Sequence, residues 1–449
     1  MSNMLSIGAS GVRAYQAALG VASDNIANAG TAGYTRRVAV MREVTPAGAQ
    51  GLTASVALPG QGVIVTSVDR QADAYRAGAV RTASADLART EAGTAWLTRI
   101  EAVLVNGGAD RGMTGFFTAT QKLAADPTSP AARAAVLAAA DGAATAFRTT
   151  GAGLQSASVE LDAVTGDTVA QVNALAAGLA KVNEGLGRTA PGTSGAANLL
   201  DQRDRMLEQL SGLTDIAVRL DDAGRATVRL DGANGPALVS GRDTAALTVN
   251  RNDEGGLAFV MKGADGERAV TPVAGALAGY AEAAQRLAGA RDRLDTIAGD
   301  FAGAVNAQFE AGDDLAGAPG EAMFAIGDPA SRLTVQTDNP SRIAAAVRGG
   351  GPRDGSNLAA LQARRTATGM EDAATALTAG LAATIEARGL IAEAQGTIRD
   401  AAVSARDAVG GVDLDREAVD LIRFQQAYQA SSRVIQVARD TLQTILDIR

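Results

Sequence analysis

The two ends of this chain carry matching apolar stripes, and those stripes constrain the fold more than anything between them. Leu421, Tyr428, Ile435 and Leu442 fall on one seven-residue repeat near the C-terminus, and Phe424, Ser431, Ala438 and Ile445 fall on a second, three positions behind. Near the N-terminus Leu5, Val12, Leu19 and Ile26 occupy one heptad position, and Gly8, Tyr15 and Ala22 occupy the other. A continuous a/d stripe is stable only when another helix covers it. The spacing predicts terminal helices over about Ser2 to Ile26 and Val412 to Arg449 that pair antiparallel with each other or pack against neighbouring molecules.

Between them lies room for several domains. A chain of 449 residues exceeds the roughly 250 to 300 at which a single core stops growing. Aromatics are only 3% of a chain that is 47% apolar, so the interior must come from Ala, Leu, Val and Ile, which suits slender helical packing. The formal charge is −8 with Arg and acids interspersed, and no basic patch is present to hold nucleic acid or an anionic membrane. There is no Cys and no His, which excludes disulfides, thiolate zinc sites, thiol nucleophiles, His-based triads and zincin sites. A phosphate loop and a dinucleotide fingerprint are also missing. No catalytic residue, metal site or cofactor is expected. MSNMLSIGAS has no Lys or Arg before a continuous apolar run, unlike a cleavable secretory signal, and no apolar stretch approaches the roughly 20 residues of a membrane span.

In chain order, Asn28-Ala29-Gly30 ends the first helix and a Gly-rich turn leads into β structure over Val38 to Val68, with strand residues including Val56 and Leu58 among Pro46, Gly48, Gly51, Pro59 and Gly60. Helical periodicity returns over Asp69 to Val105, from Phe116 to Asp126-Pro127, over Ala131 to Phe147, and over Leu154 to Leu186, where Leu161, Val164, Thr168, Val172, Leu175, Leu179, Val182 and Leu186 make one stripe. Asp201 and Asp204 beside Arg203 and Arg205 read as a solvated, salt-bridged helix face, since nothing supplies the cleft that acid/base work needs. From Thr214 to Thr271 the period changes to two with acidic or Gly-containing turns, which predicts a small antiparallel β insertion facing outward. Helices resume over Gly275 to Phe309 and as one element over Asn357 to Val409. Asp313 and Asp314 read as an Asx turn, because the further oxygen ligands of a calcium loop are missing.

The segment Asn25-Ile26-Ala27-Asn28-Ala29-Gly30-Thr31-Ala32-Gly33-Tyr34 resembles the ANxxTxGY signature of the flagellar axial proteins, the family of rod, hook and hook-associated proteins. Asn25, Ala27, Asn28, Thr31, Gly33 and Tyr34 carry it. Leu199-Leu200-Asp201-Gln202-Arg203-Asp204 and the stretch Asn306 to Phe324 are similar to hook-associated members that sit at the hook–filament junction. The chain is short for that group. Leu414 to Ala438, with Arg423-Phe424-Gln425-Gln426-Ala427-Tyr428, carries the strongest likeness.

The fold expected is mainly α with a β insertion: an elongated, discontinuous multi-domain protein. Residues 1–68 form a heptad helix plus β-hairpin that pairs with 412–449; 69–213 and 275–411 form two halves of a helical rod domain; 214–274 form the outer β insertion. The N-terminal seam is Leu5, Val12, Tyr15, Leu19 and Ile26. The C-terminal seam is Leu421, Phe424, Tyr428, Ile435, Ala438, Leu442 and Ile445, and terminal helices of this kind are expected to order on packing against neighbours. The resemblance implies the rest: a structural, non-enzymatic subunit joining hook to filament, with the hook protein, the second hook–filament junction protein and copies of itself as partners. It also implies type III export without a cleavable signal, a dedicated chaperone on the C-terminal helix, an extracellular site in the flagellum, and no nucleic-acid or membrane partner. Another axial protein would fit the termini but not the Leu199 to Asp204 segment; a secreted coiled-coil adaptor would fit the heptads but not the signature.

Overall fold

A computed structural model describes residues 2–44, 62–264 and 266–447. The strand pattern read around Val56 and Leu58 lies outside the described residues. Helix α1 (Ser2–Ala27) is followed by an antiparallel hairpin, β1 (Arg37–Glu43) with β2 (Val63–Arg70), in which Arg37 pairs with Arg70 and a bulge falls between Val40 and Met41. The hairpin thus runs two residues past Val68. Helix α2 (Ala74–Gly107) starts only at its cap, where Asp73 accepts from the backbone N–H of Tyr75 and Arg76.

The helical body continues with α3 (Ala109–Ala125), α4 (Pro130–Arg188) and α5 (Ser194–Leu213), then α6 (Gly275–Glu310), α7 (Ser356–Thr368) and α8 (Met370–Gly410). Helix α4 is one unbroken element of 59 residues, about 90 Å long at 1.5 Å per residue, where the sequence pattern suggested two helices. Its Gly151 and Gly153 are not breaks. A Cβ on Gly151 would lie 2.8 Å from Ser331 Oγ and one on Gly153 2.7 Å from Val103 Cγ1, so both glycines serve close approach of neighbouring elements. Conversely, the single helix expected over Asn357 to Val409 is divided at Gly369, which takes φ +60° between α7 and α8.

Helix α2 lies between α8 and α6 and also touches α4 and α5, so both halves of the chain build one bundle. Its core gathers the rare aromatics. Phe301 on α6 sits 5.2–5.8 Å, ring centre to ring centre, from Phe116, Phe117, Phe147 and Phe324, all fully buried. Arg133, 2% exposed, is held inside by the Pro127 and Ile343 carbonyls at 2.7 and 2.8 Å; burial lowers its pKa. Asp314 closes an Asx turn by accepting from the N–H of Ala316 and Ala318.

The β segment forms two antiparallel sheets. One holds β3 (Ala217–Leu220), β4 (Ala226–Arg229), β5 (Ala237–Ser240) and β6 (Asp243–Thr244) in that order; the other holds β7 (Ala246–Arg251), β8 (Leu257–Gly263) and β9 (Gly266–Val270). They do not have a core of their own. Val228, Leu238, Leu247, Phe259 and Met261 pack with Val172 and Leu179 of α4, Leu207 and Leu210 of α5 and Leu277 of α6. Two asparagines of α4 bind strand backbone on both sides: Asn173 donates to the Leu247 carbonyl and accepts from its N–H, and Asn183 does the same with Ala226. The β insertion is thus a layer that shares its core with the helices of the rod.

Candidate assembly site at the paired termini

Helix α1 packs antiparallel along α9 (Leu414–Asp447). Their closest approach is made by small residues. A Cβ on Gly8 would stand 2.7 Å from Ile435 Cγ1 and one on Gly11 2.6 Å from Ser431 Oγ. Ala14, Ala18 and Ala22 are buried along the same line, and the Tyr15 and Phe424 rings meet at 6.5 Å. Leu5, Val12, Tyr15 and Leu19 are half-buried at the edge of this contact, as are Leu421, Phe424, Tyr428 and Ile435 opposite. Gly8→Val is expected to cost about 1–3 kcal/mol by overpacking. Amide exchange checks this: protection should fall in α1 and persist in α2.

Three positions depart from the heptad reading. Ile26 is 36% exposed, because an undistorted α-helix drifts relative to a strict seven-residue repeat and brings Asn25 inward instead. Leu442 and Ile445 are 42% and 53% exposed. The antiparallel register, with Gly8 opposite Ile435, carries α9 past the start of α1 beyond the buried Ala438, which leaves these two uncovered.

Where the terminal pair meets the body, polar groups replace apolar ones. Asn25, 1% exposed, donates to the Arg37 carbonyl at 2.8 Å and to Glu417 Oε2 at 3.0 Å. Its Oδ1 accepts from the Arg37 N–H at 3.0 Å and from the Tyr34 hydroxyl at 2.9 Å, so its capacity is filled. Arg36 donates to Glu417 Oε1 at 2.6 Å and Asp420 at 3.2 Å. Arg37 donates to Asn198 and Asp201 of α5 at 2.6 and 2.8 Å, with its guanidinium 4.7 Å above the Tyr34 ring. Burial pushes the Tyr34 phenol above its ordinary pKa, and Arg37 opposes that shift. Arg70 on β2 faces Asp201 Oδ1 at 2.8 Å as an ion pair without hydrogen-bond alignment and donates to Asp204 at 2.8 Å.

This arrangement corrects the solvated reading of α5: Asp201 and Arg203 are 2% and 5% exposed, and the carboxylates anchor the hairpin. Among the signature residues, Asn25 and Tyr34 enter the network. Asn28 and Thr31 shape the turn through Asn28 Nδ2 on the Asp24 carbonyl and Thr31 Oγ1 on Asn28 Oδ1; Gly33 takes φ +73°, and Ala27 is exposed. Sequence reasoning passed over Arg36, Arg37, Arg70 and Glu417. Nothing local marked them out: Arg36 and Arg37 read as the polar start of a strand, and Glu417 stands among Asp413, Asp415 and Asp420.

Three family models match the chain. "Flagella basal body rod protein" covers residues 5–35, "Flagellar hook-associated protein FlgK helical domain" 97–324, and "Flagellar basal body rod FlgEFG protein C-terminal" 410–448. The chain is similar to flagellar hook-associated protein 1 of Escherichia coli, 31% identical over 77% of this chain, and of Salmonella typhimurium, 30% identical over 73%. The protein of that name in Bacillus subtilis is 27% identical over 56%. The matched stretches span 64%, 60% and 48% of those relatives' own lengths. Among solved structures, the flagellar hook junction protein FlgK from Burkholderia pseudomallei superposes with a TM-score of 0.46 and 26% identity, covering 55% of this chain and 47% of that one. Models named for flagellar basal body rod proteins thus match both ends of the chain. With the helical-domain model spanning just over half of its residues between those two ends, the chain belongs to the flagellar hook-associated protein 1 family.

Proposed function

We propose that this protein is a structural subunit that joins the flagellar hook to the filament, assembling axially through its terminal helices. The observation that carries this reading is a set of exposed apolar side chains left over after α1 and α9 have paired. On α9, Val419, Ile422 and Val437 are 65%, 54% and 56% exposed on the side away from α1, and Leu442 and Ile445 extend the uncovered surface. Each such side chain gains roughly 1.5–3 kcal/mol on full burial, which favours neighbours over solvent. A repeated head-to-tail contact then builds rings or helical tubes.

The division of labour proposed is an inner layer from 1–68 and 412–449, a rod from 69–213 and 275–411, and the β layer of 214–274 on the rod's flank. Partners on this reading are the hook protein, the second hook–filament junction protein and further copies of the same chain. A dedicated chaperone would cover Leu421, Phe424, Tyr428 and Ile435 before export through the flagellar type III route. The working site is then extracellular, and the protein acts without catalysis. Among the described residues no helix is long and apolar enough to cross a membrane, so anchorage by such a helix has no support.

A strain lacking the chain is expected to make hooks without filaments and to leak filament protein into the medium. Complementation with a version truncated after Gly411 should fail to restore motility. Normal filaments in either strain, seen by electron microscopy, would sink the proposal.

A further inference from the structure

We propose that Arg36 and Arg37 form a two-sided clamp that fixes the direction in which the terminal pair leaves the helical body. The clamp bears on assembly only if the function proposed above holds, but its geometry stands independently. Three short segments meet where the terminal pair, the hairpin and the body adjoin: Tyr34 to Arg37, Arg70 to Asp73, and Gly410 to Asp413. Backbone bonds gather them. The Arg36 N–H donates to the Gly410 carbonyl at 2.8 Å, and its carbonyl accepts from Gln71 at 2.9 Å. Such links alone leave a soft joint, because α8 ends at Gly411 in extended conformation and the next helix starts afresh at Leu414.

Consecutive side chains of an extended chain point to opposite sides. Arg36 therefore reaches the terminal helix, binding Glu417 and Asp420 of α9, while Arg37 reaches the body, binding Asn198 and Asp201 of α5. Asn25 ties both to α1 by holding the Arg37 backbone and Glu417 at once. Glu417 and Asp201 are 1% and 2% exposed, so neither has water as an alternative partner. A buried ion pair adds little net stability over an apolar pair of the same shape, but a partner removed leaves an uncompensated charge, so the pair penalises every other geometry. A bare apolar contact would let the helices roll. The forked guanidiniums, with paired acceptors, do not. On this account the signature residues Asn25 and Tyr34 position the assembling helices and do not themselves dock a partner.

The absence of native Cys makes a direct test clean. Spin labels at Gln202→Cys on α5 and Gln426→Cys on α9, both exposed, report the angle between body and terminal pair in the full chain by pulsed double resonance. A single narrow distance distribution is expected with the clamp intact. Arg36→Ala and Arg37→Ala should each broaden it about twofold or more while far-UV helicity stays unchanged, as expected when a local contact with its own opening free energy is lost. Arg99→Ala, which removes an exposed pair with Glu160 on the body, should leave the width alone. Glu417→Gln keeps the side chain's shape but removes its charge and sets an amide donor against either Asn25 Nδ2 or Arg36 Nε, so it decides the matter if either alanine variant unwinds α9. A distribution already broad with the clamp intact, or one that stays narrow in Glu417→Gln and both arginine variants, overturns the clamp. Narrow distributions combined with filament loss on truncation would remove the clamp and leave the assembly reading standing.

Discussion

Phe301→Ala is expected to destabilise the helical body by about 3–5 kcal/mol, because it empties the centre of a cluster that cannot collapse. Phe116, Phe117, Phe147 and Phe324 all converge on that ring from different elements, and each is fully buried. Phe116 and Phe117 belong to α3, Phe147 to α4, and Phe324 to a two-residue strand in the segment after α6, so no single element can move in to fill the void. Calorimetry should show the body's transition lowered by roughly 10 °C. Phe424→Ala is the informative contrast. That ring is half-buried against Tyr15 on the terminal pair, and its loss should leave the body's transition in place. A shift for Phe301→Ala no larger than that for Phe424→Ala would mean the aromatic cluster is not the body's keystone.

Asp201→Ala is expected to cost a similar amount, about 3–5 kcal/mol, by a different route. It leaves the Arg37 and Arg70 guanidiniums, 5% and 7% exposed, facing each other without the carboxylate that lies 2.8 Å from both. Removing one member of a buried charge cluster is worse than removing all of it, since the remaining charges stay desolvated. Asp201→Asn should cost less because Oδ1 is retained as an acceptor. Urea titrations of the single variants and of the Arg37→Met, Asp201→Leu double variant check this. If the double variant is as unstable as Asp201→Ala, the penalty does not come from the orphaned charge. The expectation is that it recovers part of the loss.

Much of the helical organisation was legible because helical burial is periodic. The stripe from Leu161 to Leu186, the run from Leu287 to Phe309 and the two terminal seams each repeat at three or four residues, and the elements found there are helices. The change to a period of two after Thr214 marked the strands equally well. Helix ends were less legible. The gap read between Phe147 and Leu154 is helical, and its Gly151 and Gly153 are packing positions, whereas Gly369, in an otherwise helical stretch, is a true break; in both cases the deciding factor is what stands beside the glycine or which sign of φ the chain needs. How the β segment is covered was not legible for a related reason. Alternation says that a sheet has one apolar face, but it does not say whether a second sheet or the helices of the rod will cover it.

The sequence by itself determined that this chain is a mainly helical protein with sticky termini, lacking Cys and His chemistry, and that it resembles the flagellar axial family. These are local properties: periodicity, composition and short motifs survive without knowledge of any contact. Tertiary structure alone decided which charges are buried and with whom. Arg37 and Asp201 are 164 residues apart and Arg36 and Glu417 381 apart, and no local pattern distinguishes them from the chain's many solvated charges. A buried ion pair exists only once two distant segments have excluded water from between them, which the folded chain alone can do.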